Sequence, residues 1–86
     1  MHKEGDISEA TKYYQQLISQ GCNDHRVFSN YGLILKSLGK LKEAEISTRK
    51  ALEINLDYDT AHSYLVNILL DYGKLKELII FSKIDT

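Results

Sequence analysis

Cys22 and His25 stand in the spacing C-x-x-H, the one arrangement in this chain that suggests metal or thiol chemistry. A zinc site takes about four ligands, and nothing nearby completes such a set. A reactive thiol needs a neighbour that lowers its pKa. The simpler reading is a buried or half-buried cysteine in a turn, with no metal and no cofactor. His2 lies at the terminus. The acidic residues are scattered at exposed helical positions and form no carboxylate pair. No glycine-rich phosphate loop is present. Six tyrosines could stack on bases, yet Tyr14, Tyr31 and Tyr72 fall on apolar faces and read as core residues. With no nucleophile, acid or base held among orienting partners, an enzyme is not expected.

Composition narrows the classes further. Eleven basic and twelve acidic residues give a net charge of -1, which argues against a nucleic-acid binder. A hydrophobic fraction of 43% with 27% charged residues describes a globular chain and not a disordered one. A single cysteine excludes an internal disulfide and fits a reducing compartment, so a cytoplasmic location is expected. The longest apolar run is Leu78 to Phe81, far short of a membrane span.

The elements show themselves through repetition. Comparing each residue with the one 34 later gives 12 identities in 52 pairs, where composition alone gives roughly 3. Gly39-Lys40-Leu41-Lys42-Glu43 recurs unchanged as Gly73-Lys74-Leu75-Lys76-Glu77, and Gly5, Glu9 and Ala10 extend the frame backwards. The chain divides into a partial unit at 1–24, a complete unit at 25–58 and a truncated unit at 59–86.

In the complete unit, Val27, Phe28, Tyr31, Ile34, Leu35 and Leu38 recur at three- and four-residue steps, the apolar face of a helix. Asp24 is placed as its N-cap, and Gly39 ends it in a left-handed turn. A second helix follows from about Leu41, facing inward through Leu41, Ala44, Thr48, Ala51 and Leu52. Glu45 and Arg49 form an i,i+4 pair on its outside. The third unit predicts the same hairpin, with Gly73 as the turn between two helices. The first unit supplies only a second helix, inward through Ile7, Ala10, Tyr14, Leu17 and Ile18. The expected fold is all-α: five helices in about two and a half stacked antiparallel hairpins, forming a solenoid.

A helical hairpin of this period resembles the tetratricopeptide repeat, whose pattern is W-x2-L-G-x2-Y, then A-x3-F, then proline. Phe28, Tyr31, Gly32 and Leu35 take the first four places, Ala44 matches the alanine, and Thr48 and Leu56 replace the phenylalanine and proline. His62 takes the aromatic place of the third unit and reads as a packing residue. Gly32 and Ala44 are both small, so the two helices of the complete unit can cross closely. Val66 and Leu78 are larger, so the last hairpin is expected to pack more widely or at another angle.

The resemblance implies a superhelix whose concave face is lined by the first helix of each unit. Here that face carries Arg26, Ser29, Asn30, Leu33, Lys36 and Ser37, continued by Thr60, Ser63, Tyr64, Asn67, Leu70 and Asp71. Such amide, hydroxyl and basic groups suit an extended peptide, which implies a non-catalytic module binding a peptide or partner protein. Asp71 and the absent first helix argue against a clamp for a chaperone's terminal carboxylate. The repeats are also similar to tandem arrays of bacterial proteins, some preceding glycosyltransferase or sulfotransferase domains. The alternative reading is therefore an accessory repeat region that positions substrate for a larger enzyme. Helical-repeat RNA binding is disfavoured by the charge. No membrane partner is expected. Finally, Leu78, Ile79, Ile80 and Phe81 are apolar nearly all round a helical turn. Solenoid ends normally carry a polar cap, so this end is expected to stack on a neighbour or a second copy.

Overall fold

A computed structural model describes the backbone of residues 4–84 and the side chains of residues 6–74. It contains four α-helices among the described residues: α1 (Glu4–Ser19), α2 (His25–Ser37), α3 (Leu41–Ile54) and α4 (Asp59–Ile84). The protein is all-α and built of helical repeats, as the 34-residue period requires. The expected fifth helix does not exist as a separate element, because α4 runs through Gly73 without a break.

The first two turns follow from local chemistry. At the end of α2 the Lys40 N–H donates to the Leu35 carbonyl (2.9 Å) and the Gly39 N–H to the Lys36 carbonyl (2.9 Å). This is a Schellman motif around a left-handed residue, and Gly39 sits at φ +79. The same bonds close α1, from Cys22 to Leu17 and from Gly21 to Ile18 (both 3.0 Å). At the start of α2 the Asp24 carboxylate accepts from the Arg26 backbone N–H at 2.9 Å, the expected N-cap.

The close crossing of α2 and α3 explains why the chain reverses at Gly39. A Cβ built on Gly32 would press on the Thr48 hydroxyl and lie 3.3 Å from the Ala44 carbonyl oxygen. Only glycine permits that approach. Ser47 Oγ adds a bond to the Phe28 carbonyl oxygen at 2.7 Å, tying the second helix to the first. Leu35, Ala44 and Ile68 then meet at the centre, one from each of α2, α3 and α4, with Tyr31 and Tyr72 packed around them. The core is built of small residues: Ala51, Ala61, Ser29 and Thr48 are fully buried as well.

At Gly73 the same five residues produce no turn. An isolated glycine in a helix costs only about 1 kcal/mol against alanine, so it does not enforce a stop. Reversal at Gly39 is supported by Gly32 facing Ala44. In the corresponding places stand Val66 and Leu78, and a valine side chain cannot reproduce the glycine contact. The last hairpin therefore does not form, and there is no second crossing whose width could be compared with the first. With 26 residues, α4 is about 39 Å long. The radius of gyration is 14.8 Å, against about 12 Å for a compact chain of this length.

Burial along α1 follows the expected stripe. Ile7, Ala10, Tyr14, Leu17 and Ile18 all turn inward, yet each is only half-buried, as fits a helix packed on one neighbour. The side chains of Leu78, Ile79, Ile80 and Phe81 lie outside the described residues.

Candidate functional site

The sequence-predicted face is carried by α2 and α4, which lie side by side. Lys36 Nζ of α2 is 3.9 Å from Asp71 Oδ2 of α4, so the two charges answer each other across the seam. Leu33 on α2 and Leu70 on α4 remain exposed, at 38% and 57%, and Ser63 and Asn67 are exposed beside them. Thr60 and Tyr64 are half-buried.

Two of the predicted residues have other duties. Ser29 is fully buried and cannot line a binding face. The correction has a simple cause: Ser29 lies one turn before Gly32, where α2 and α3 press together. Arg26 is exposed, but its guanidinium is held by its own N-cap, with Nη2 2.8 Å from Asp24 Oδ2 and Nε 3.2 Å from Oδ1. The Arg26 side-chain and backbone donors hold the Asp24 carboxyl at about 2, well below its ordinary 3.8. In return the carboxylate raises the Arg26 pKa.

Asn30 points the other way along the surface. Its Nδ2 donates to the Tyr14 hydroxyl of α1 at 3.3 Å, and the Gln15 amide donates to the Tyr31 hydroxyl at 3.1 Å. Between α1 and α2 these contacts leave a cleft of about 330 Å³. Its walls are Ile7, Ala10 and Tyr14 from α1 and Asn30, Leu33 and Ile34 from α2, with Asp6 and Ser37 at the rim. Concave, mainly apolar surfaces with a few convergent polar groups are where ligands bind. Asn30 and Leu33 of the predicted face thus line a cleft together with α1 residues that the sequence marks as core. The repeat itself carried the missing signal. Ile7, Ala10 and Tyr14 stand 34 residues before Leu41, Ala44 and Thr48, on the helix that holds α2. The same stripe on α1 lines one wall of the cleft.

The C-x-x-H pair resolves into packing. Cys22 is a half-buried free thiol in the turn after α1. His25 stacks edge-on against Tyr58, with ring centroids 4.5 Å apart, and lies 3.3 Å from the Asn55 carboxamide. It thus ties the start of α2 to the end of α3. His62 is exposed, with Nε2 donating to the Leu56 carbonyl oxygen at 2.7 Å. The expected packing role does not hold, because α4 never folds back to cover that side. Among the described residues no group of three or more His, Cys, Asp or Glu could hold a metal ion. No helix there is long and apolar enough to cross a membrane.

Residues 25–58 match the family model described as Tetratricopeptide repeat. No match was found among curated proteins.

Proposed function

We propose that this chain, whose residues 25–58 match the tetratricopeptide-repeat family model, is a non-catalytic interaction module that captures an extended peptide along α2. Repeats of this family serve generally in protein–protein interaction, and the chain's net charge of -1 favours a protein over a polyanion. The observation that carries the reading is the α1–α2 cleft, which shares Asn30 and Leu33 with the predicted concave face.

Its chemistry selects the kind of peptide. Ile7, Ala10 and Leu33 receive one large apolar side chain, since about 330 Å³ lies at the small end of ligand-binding cavities. The Asn30 carboxamide oxygen accepts from a peptide N–H while its Nδ2 stays on Tyr14. Beyond the cleft the segment continues over the Lys36–Asp71 pair towards Asn67 and Leu70. Lys36 and Arg26 both have carboxylate partners in the fold, so an apolar anchor, and not a terminal carboxylate, dominates recognition.

Panning a random peptide library on the immobilised chain tests this. Recovered peptides should share an apolar anchor position, and Leu33→Glu should abolish their binding with helicity unchanged. Peptides that bind Leu33→Glu as well as the parent would refute the site.

A further inference from the structure

The cleft between α1 and α2 repeats, one period earlier, the seat that α2 itself occupies. Inside the chain, Leu35 of α2 packs with Ala44 of α3 and Ile68 of α4, and all three are buried. The positions 34 residues before Ala44 and Ile68 are Ala10 and Ile34. Both line the cleft, and both are only half-buried. The seat thus has two of its three sides, and its third stands open among the described residues. The far end of the molecule carries the matching plug. In α2, Gly32 and Leu35 are buried where α3 crosses Phe28. Thirty-four residues later stand His62, Val66 and Leu69. Val66 is 55% and Leu69 43% exposed, and His62 is exposed too. These three fall within about 60° around the helix axis. That side is turned away from Ala61 and Ile68, which are fully buried in the chain's own core.

We propose that copies of this chain stack head to tail: the first half of α4 in one copy seats in the α1–α2 cleft of the next. Helix α4 of one copy and α1 of the next then form a complete repeat across the contact, continuing the packing already present inside each chain. The internal unit sets the register. Leu69 takes the place of Leu35, between Ala10 and Ile34 of the next copy. Tyr13 stands 34 residues before Ser47, which bonds the Phe28 carbonyl, so Tyr13, 58% exposed, comes to lie over His62. Leu70 takes the place of Lys36, and Ser37 that of Asp71. The internal ion pair is replaced there by a contact of Leu70 with Leu33, two leucines that are both exposed in the single chain. Val66 holds the helices further apart than Gly32 does, which is permitted because no short turn ties two separate chains. Beyond Gly73 the helix has passed the end of the cleft, so the contact needs nothing from the residues that follow. Two different surfaces meet, so the contact does not close on itself and gives open-ended stacks.

The proposal does not rest on peptide capture. The neighbour's helix and a peptide compete for one cleft, and Val66→Glu, which alters α4 alone, removes the first and spares the second. The test uses the full chain. In light scattering the parent should gain mass with concentration and pass beyond a dimer at high micromolar concentration. Val66→Glu spoils only the plug and Ala10→Glu only the seat, so each alone should stay monomeric with full helicity. Mixed in equal amounts they should form a heterodimer and nothing larger, since one intact plug and one intact seat remain. A parent that stays monomeric or stops at a dimer overturns the proposal, as does a Val66→Glu chain that stacks like the parent. A second pair of variants covers the case in which Ala10→Glu loses helicity. In a Cys22→Ser background, Ala10→Cys and Leu69→Cys chains treated with a short bismaleimide should join when mixed, and neither should join alone. A mixture without the link between positions 10 and 69, or with like positions joined as readily, overturns the proposal.

Discussion

Replacing Gly32 by alanine tests the close crossing on which the complete unit depends. In an open helix that change gains about 1 kcal/mol of helix propensity. Here the new methyl group would press on the Thr48 hydroxyl, 3.3 Å from the Ala44 carbonyl oxygen and 3.4 Å from the Thr48 nitrogen. Two of these three atoms are backbone. The third belongs to a β-branched side chain with few rotamers, fully buried where it stands. Relief therefore requires α2 and α3 to part, and overpacking of this kind costs about 1–3 kcal/mol. The expected net effect is a loss of about 1 kcal/mol. Gly73→Ala is the control. That residue is helical and has no atom within 4 Å of a built Cβ, so the propensity gain of about 1 kcal/mol should appear in full. Urea unfolding followed by far-UV circular dichroism measures both. Thr48→Ala removes the nearest of the three contacts and leaves the two backbone ones, so it should recover part of the penalty, giving a coupling of up to about 1 kcal/mol with Gly32→Ala in a double-mutant cycle. If Gly32→Ala stabilises the protein as much as Gly73→Ala does, the close crossing is refuted.

Three further outcomes are expected. Ser29 Oγ is buried without a hydrogen-bond partner, so Ser29→Ala should raise stability by about 1 kcal/mol in the same unfolding assay. Ala44→Leu enlarges the other side of the crossing and should cost about 1–3 kcal/mol, read as a lower urea midpoint. The Asp24 carboxyl is held at about 2 against an ordinary 3.8. A depressed acid contributes its full stabilisation above the ordinary value and loses it as pH falls through the folded one. Thermal stability should therefore drop between about pH 4 and pH 2, and the drop should be shallower in Asp24→Asn, which keeps the capping oxygen without the charge.

The features legible in the sequence were those fixed within a few residues. Asp24 caps α2, Gly39 closes it, and Arg49 Nε meets Glu45 Oε2 at 2.9 Å, because each depends on a neighbour in the same helix or turn. The repeat period gave the hairpin itself. Gly73 was not legible, since its pentapeptide is identical to the one at Gly39 and differs only in what the flanking helices can do. The choice between turn and helix there is made by Val66, seven residues away, and by the segment that would have to pack on it. Ser29 misled for the same reason. A hydroxyl on a helix reads as surface, but the small residues around Gly32 draw α3 so close that the serine is sealed in. Apolar periodicity likewise identified the α1 stripe as core without showing that one side of it stays open as a cleft.

The most direct test of the functional account is a titration of the isotope-labelled chain with a peptide recovered by panning, followed by amide chemical shifts. Shifts should concentrate at Ile7, Ala10, Asn30 and Leu33, trailing towards Asn67 and Leu70. Shifts confined to the turns, to the outer face of α3, or spread evenly over the chain would contradict it.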